Sequence, residues 1–413
     1  MASTWIHACS CSFGISAATT VFLPIVGNNG GVTTTEAQAQ ILVRDTYTAS
    51  NLWTIVSIND NNGITTIRTR KNAGNGAQSV SYAASTTGTK EDTVNTDAMA
   101  TGENWNYSVN PAGASGIITP EYISVVLQHS GTGTFILSSG ATTTLSQAEN
   151  IKNYESLNGG LATRSVEAHS QYTLRTDGIL RNLRVYVSAN SIGANTVVRT
   201  RVNAGNGAQV ATITASTTGS FEDTTNSDTI TGANADEWNC IVDSTSAKMG
   251  TLVTRLSQVE MSCVGQPQIF GEQIVATADR YIGVAGASVG STLESQTQLK
   301  ARVALTIAKM FTYVSANTTT VCDVYLRQNG ANTALTVNYG SGVTGVKEDT
   351  TNTVSIVATD LINYFVDLTS GTNITFQIIG SEAQQGATGA DGTDFPWPPT
   401  GQPVQTPIAV LVY

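Results

Sequence analysis

The chain is short of charge. Charged residues fill 12% of its 413 positions, and Lys plus Arg total 20 against 30 Asp plus Glu; an average soluble protein carries about twice that share. A formal net charge of -10 with no basic patch leaves nothing to neutralise phosphates, which excludes nucleic acid as a partner. Long apolar runs are missing as well. Nothing approaches the ~20 apolar residues of a membrane span, so no membrane partner is expected. No Lys or Arg precedes Arg44, and the longest apolar run of the N-terminal stretch is "VFLPIV"; no secretory signal is expected from such a segment. Only three histidines occur, His7, His129 and His169, none near a G-x-S-x-G motif. They read as surface or strand-end residues rather than as parts of an acid/base site. Walker A and dinucleotide-binding glycine motifs are absent.

Cysteine is sparse and irregular. Cys9, Cys11, Cys240, Cys263 and Cys322 are odd in number and fall at different points of the repeats described below, whereas a disulfide framework would recur with them. Small buried hydrophobes with free thiols are the expectation. Cys9 and Cys11 alternate along an apparent strand, but no His or Cys partner recurs at the spacing zinc requires.

What the sequence does contain is repetition. "KNAGNGAQSVSYAASTTGTKEDTVNTD" (71–97) returns as "RVNAGNGAQVATITASTTGSFEDTTNSD" (201–228) and more loosely as "RQNGANTALTVNYGSGVTGVKEDTTNTVS" (327–355). Upstream, "FLPIVGNNGGVTTTEAQAQILVRDT" (22–46) overlays 154–178 and 281–305; downstream, "NWNYSV", "EWNCIV" and "INYFVD" correspond. A whole domain is therefore repeated, with units expected at 1–134, 135–267 and 268–413. In the third, residues 383–407 read as a Gly/Pro-rich connector, with Gly386, Gly389 and Gly392 at a period of three, and "PIAVLVY" as a closing strand.

Within a unit the apolar period is two. Cys322, Val324 and Leu326 alternate with Asp323, Tyr325 and Arg327, and Leu335, Val337 and Tyr339 follow a turn, as in strands with one face in a core. The turns "NAGNGAQ" and "QNGANT" supply Asn and Gly for the positive φ of a hairpin. Gly88, Gly219 and Gly345 mark a second turn, and Asp92, Asp223 and Asp349 are placed to form Asx-turns before the next strand. Short strands, frequent turns and no helical stripe predict an all-β chain of three tandem jelly-roll-like antiparallel β-sandwich domains.

Candidate chemistry is thin. The pairs Glu91/Asp92, Glu222/Asp223 and Glu348/Asp349 are acid/base candidates, but adjacent strand residues face opposite ways and cannot flank one glycosidic bond. Asp92 with Asp97, and Asp223 with Asp228, offer calcium paired carboxylates within one loop, while the third copy has Val354. That reading stays open beside turn chemistry. Trp105 and Trp238 recur, with Ile362 in the third place, as core residues do. Trp397, among prolines and outside the repeats, suits either a partner or its own domain. No catalytic, cofactor-binding or metal-ligating residue is assigned.

The stretch "VYLRQNGANTALTVNYGSGVTGVKEDTTNTVSIVATDLINYFV" in the third unit resembles β-sandwich modules of tailed-bacteriophage virion proteins, over about 45 residues there and, through the repeats, much of the other units. The first unit departs most, with "ATGENW" where the module reads like "VATDLI". The resemblance implies a non-enzymatic structural protein on the virion exterior, assembled in the host cytoplasm: a capsid decoration or cement protein, or a head or tail fibre. Its implied partners are capsid or tail subunits, and its implied state is a homo-oligomer, often a trimer; three tandem domains equally suit a single-chain pseudo-trimer. The alternative is a receptor- or glycan-binding tail fibre or adhesin.

Overall fold

The computed structural model describes residues 3–11, 13–27, 33–129, 134–139, 144–147, 152–156, 165–243, 250–263, 266–270, 274–285 and 290–385. Among them the regular structure is β-strand with four single-turn 3-10 helices. The first ten strands are β1 (Ser3–Ser10), β2 (Ile15–Ser16), β3 (Val21–Leu23), β4 (Ile41–Leu42), β5 (Tyr47–Asn59), β6 (Thr65–Lys71), β7 (Gly74–Tyr82), β8 (Gly88–Met99), β9 (Asn104–Pro111) and β10 (Ile117–His129). One sheet has the order β1-β10-β5-β8 with β2 beside β10; the other has β3-β9-β6-β7 with β4 beside β9. The short strands β1–β2 and β3–β4 stay within one sheet each; from β4 onward successive strands alternate between the sheets except at the β6–β7 hairpin, and this is the connectivity of a jelly roll.

The pattern returns twice. Strands 134–139, 250–263, 178–190 and 219–230 repeat the first order, and 152–155, 237–243, 196–202 and 205–213 the second. In the third unit, strands 305–328 and 361–385 run continuously through both layers, so its two sheets merge into one of eight strands. The last strand includes Ala383–Gln385, which corrects the expected start of the Gly/Pro-rich connector: Ala383 pairs with Ile307 and is buried. The remainder of that connector, Trp397 and the expected closing strand lie outside the described residues.

Local chemistry explains the hairpin and its flanks, with two corrections. At the β6–β7 turn, positive φ falls on Asn72 and Ala73, on Asn203 and Ala204, and on Asn329 and Gly330. Two of the three turns thus place alanine, not glycine, in the left-handed region, where a Cβ crowds the backbone. The Asx-turns do form, but inside strands. Asp92 Oδ1 accepts from the backbone N–H groups of Val94 and Asn95, in the middle of β8, opposite a bulge in β5 where Asn51 has φ 56. Oδ2 accepts from Ser79 N of β7 at 2.9 Å, which ties the two sheets together at their corner. Asp223 and Asp349 do the same with Val210 and Thr336.

The "ATGENW" turn closes as its counterpart does. Gly102 N and Thr359 N donate to Val43 O and Ala301 O at 2.7 Å, with positive φ at both residues. Trp105, Trp238 and Ile362 are core residues. Cys9, Cys11, Cys240 and Cys322 are buried free thiols; the Cys263 side chain lies outside the described set.

Candidate functional site: the inter-unit seams

Three arginines hold equivalent places just after the short strand that β4 represents: Arg44, Arg175 and Arg302. Arg44 pairs with Glu222, Arg175 with Glu348, and Arg302 with Glu91. The first unit thus reaches the second, the second the third, and the third returns to the first. A head-to-tail contact repeated in this way either closes or grows without limit. Here it closes within one chain.

The repeated Glu-Asp pair therefore divides its labour. The aspartate binds its own corner and the glutamate, pointing the other way on the strand, binds the arginine of the preceding unit. The carboxylates offered to calcium are occupied by protein donors: Asp97 accepts from Thr69 Oγ1, Ala77 N and Gln78 Nε2, and Asp228 from Ala208 N and Gln209 Nε2. Burial alone would raise the pKa of Asp92, Asp223 and Asp349, but the bonds donated by Asn95, Asn226, Asn352 and backbone amides outweigh it and lower all three.

Each seam also shares a core. Ile6, Ala8, Trp53, Ile55, Tyr122 and Val126 of the first unit belong to the third unit's hydrophobic cluster. Ile136 and Leu256 of the second enter the first unit's cluster, and Phe311 and Ile378 of the third enter the second's. The central strands β5 and β10 are consequently buried on both faces along much of their length, one face in their own sandwich and one against a neighbour. Their runs "LWTIV" and "YISVVL" lack alternation, the signature of a doubly buried strand, and that signal could have located the seams from sequence alone.

Polar groups set the register of each seam. Gln258 brackets Leu42, accepting from its N–H at 3.1 Å and donating to its carbonyl at 2.7 Å. Arg184, where the other units have Trp53 and Phe311, donates to Gln40 O at 2.9 Å; burial lowers its pKa, against the attraction of Glu222. Tyr122 Oη accepts from Gly283 N at 3.1 Å. Glu260 and Glu382, equivalents of Val126, are buried at two of the seams. Burial raises Glu260 to about 7, opposed by the bond from Asn182 and by Arg181 and Arg44. Glu382 is also raised by burial, opposed by Lys309.

The histidines do not assemble into one site. His7 is fully buried in mid-strand, not at the surface or a strand end, and its Nε2 accepts from Ile136 N of the second unit. His129 pairs with Asp45 at 2.8 Å, and the His169 ring lies 5.7 Å from that of Tyr313 in the third unit. Among the described residues no group of three or more His, Cys, Asp or Glu side chains is arranged to hold a metal ion.

No family model and no curated protein matches the chain. Among the solved structures that align with it are two at 13% identity each. One, titled "Life in the extremes: atomic structure of Sulfolobus Turreted Icosahedral Virus", has a TM-score of 0.19 and covers 84% of this chain and 81% of its own. The other, "The Triple Jelly Roll Fold and Turret Assembly in an Archaeal Virus", has a TM-score of 0.17 and covers 92% and 91%. Superpositions this loose carry no argument; the jelly-roll assignment rests on the strand order above.

Proposed function

We propose that this chain is a non-enzymatic structural component of a virus particle, three jelly-roll domains joined into one body that binds neighbouring virion subunits. The observation that carries the reading is the closure of the three units by Arg44–Glu222, Arg175–Glu348 and Arg302–Glu91. The repeated acidic and basic residues, the natural place to look for chemistry, are consumed in holding units together. One chain then supplies what a homotrimer of single sandwiches would, and the outer surfaces of the ring remain for partners. Within this reading the finer role is external: capsid decoration, cement or fibre, on a bacteriophage as the sequence resemblance implies. Antibodies raised against the recombinant chain, applied with gold label to particles of the virus that encodes it, are expected to mark intact particles. Label on disrupted particles alone would refute the external placement, and no label on either would refute the virion role.

A second reading, recognition of a surface glycan, is favoured by one cleft at the seam between the third and first units.

A further inference from the structure

That cleft has a volume of ≈ 730 Å³ and is lined from the first unit by Trp53, Ser79, Ser81, Thr89 and Lys90, and from the third by Lys300, Thr359 and Leu361. Its size falls among ligand sites, which run from about 300 to 1,000 Å³. Glu91 at its wall is neutralised by Arg302 and lies 3.3 Å from Lys300 Nζ. Lys90 bonds Ser81 O at 2.6 Å and sits over the Tyr82 ring. Two lysines and the Glu91–Arg302 pair therefore line one opening among hydroxyls, a local positive excess in a chain whose net charge is -10.

The other seams do not repeat this combination. The equivalents of Lys90 and Lys300 are Phe221 and Leu42 at the seam of the second unit with the first, and Lys347 and Thr173 at that of the third with the second. In place of Trp53 stands Arg184, whose guanidinium is committed to Gln40 O and Ser220 Oγ.

A second feature points the same way. Thr359 has φ 101 at a turn where the first unit uses Gly102, φ 89. A β-branched residue in that region is strained, and such strain persists where surroundings enforce it, often at ligand sites. The fold accepts glycine here, as the first unit shows, so the threonine side chain is retained at a cost to the turn.

We propose that this cleft binds an acidic saccharide, its carboxylate toward Lys90 and Lys300, its hydroxyls toward the Ser and Thr side chains, and an apolar ring face against Leu361. The proposal does not depend on the virion role. Calorimetry and saturation-transfer NMR on the full chain with sialyllactose and glucuronate oligosaccharides, against lactose as the neutral control, test it. The acidic sugars are expected to bind and lactose not to. Lys90→Gln and Thr359→Gly should each weaken binding about tenfold, while Thr359→Gly raises Tm by about one degree through relief of the turn. No binding, equal binding of lactose, or unchanged affinity in both variants would overturn the proposal, and a lowered Tm for Thr359→Gly would remove the strain argument.

Discussion

The hairpin corners of the first and third units do the same job with opposite chemistry. In the first, Asp97 collects Thr69, Ala77 N and Gln78 in a buried polar knot, and Gln78 Oε1 accepts from Leu52 N. In the third, the equivalents are Val354, Leu326 and Leu335, and Thr333 stands where Gly76 does, bonding Leu326 O. A Cβ on Gly76 would lie 2.3 Å from Thr69 Oγ1, so the small residue belongs to the knot. A second pair behaves alike: Tyr82 Oη and Thr54, or Tyr339 Oη and Thr312, share a bond at 2.7 and 2.8 Å, and the second unit has Ile213 and Val185, both buried. Buried polar groups are exchanged for apolar ones as complete sets, because a single exchange strands the remaining partners. The seam arginines and glutamates, by contrast, keep their identity in all three units.

The sharpest way to break this comparison is to exchange one member alone. Asp97→Val should cost about 3 kcal/mol in denaturant unfolding, since it strands several buried donors. The set Thr69→Leu, Gly76→Thr, Gln78→Leu and Asp97→Val, copying the third unit, should recover most of that loss; a set no better than the single change would refute the exchange of whole sets.

The seams give the next effect. Glu260 titrates near 7 when folded, above the ordinary value of 4.5. The folded chain therefore holds a proton that the unfolded chain releases, and its stability falls as pH rises from about 4.5 to 7, then levels. Val126, at the equivalent place, has no such dependence. Glu260→Gln should match the wild type near pH 4 and exceed it by roughly 2–3 kcal/mol at pH 8; parallel pH–stability curves would contradict this. The corner aspartates have the reverse sign: their lowered pKa values add stability above the ordinary 3.8 that is lost as pH falls.

The smallest effect is at the hairpin turn. Ala73→Gly and Ala204→Gly, copying Gly330, should each stabilise by about 0.5–1 kcal/mol if relief of the left-handed alanine exceeds the flexibility gained by the unfolded chain. A loss of Tm in both variants would show that it does not.

Much of the fold was legible because it is written locally. Period-two runs, the Asn-rich hairpin and the Gly88, Gly219 and Gly345 turns each act over a few residues, and strand alternation needs only one core face to show. The turn role of Asp92 was legible for the same reason, although its position within a strand was not, since the bulge at Asn51 that creates room for it lies on another strand. The role of Glu91 could not be read from its neighbours: its partner, Arg302, is distant in sequence. Nor did His7 announce its burial, because the strand that covers it belongs to the next unit.

The sequence by itself thus determined that three similar β-sandwiches exist, since side-chain period and turn chemistry are short-range. Only the tertiary structure decided that they close on one another, that the central strands of one sheet are buried on both faces, and that two lysines meet in a cleft at the seam of the third unit with the first. Those outcomes depend on which surfaces meet, and surfaces meet through residues that the sequence keeps far apart.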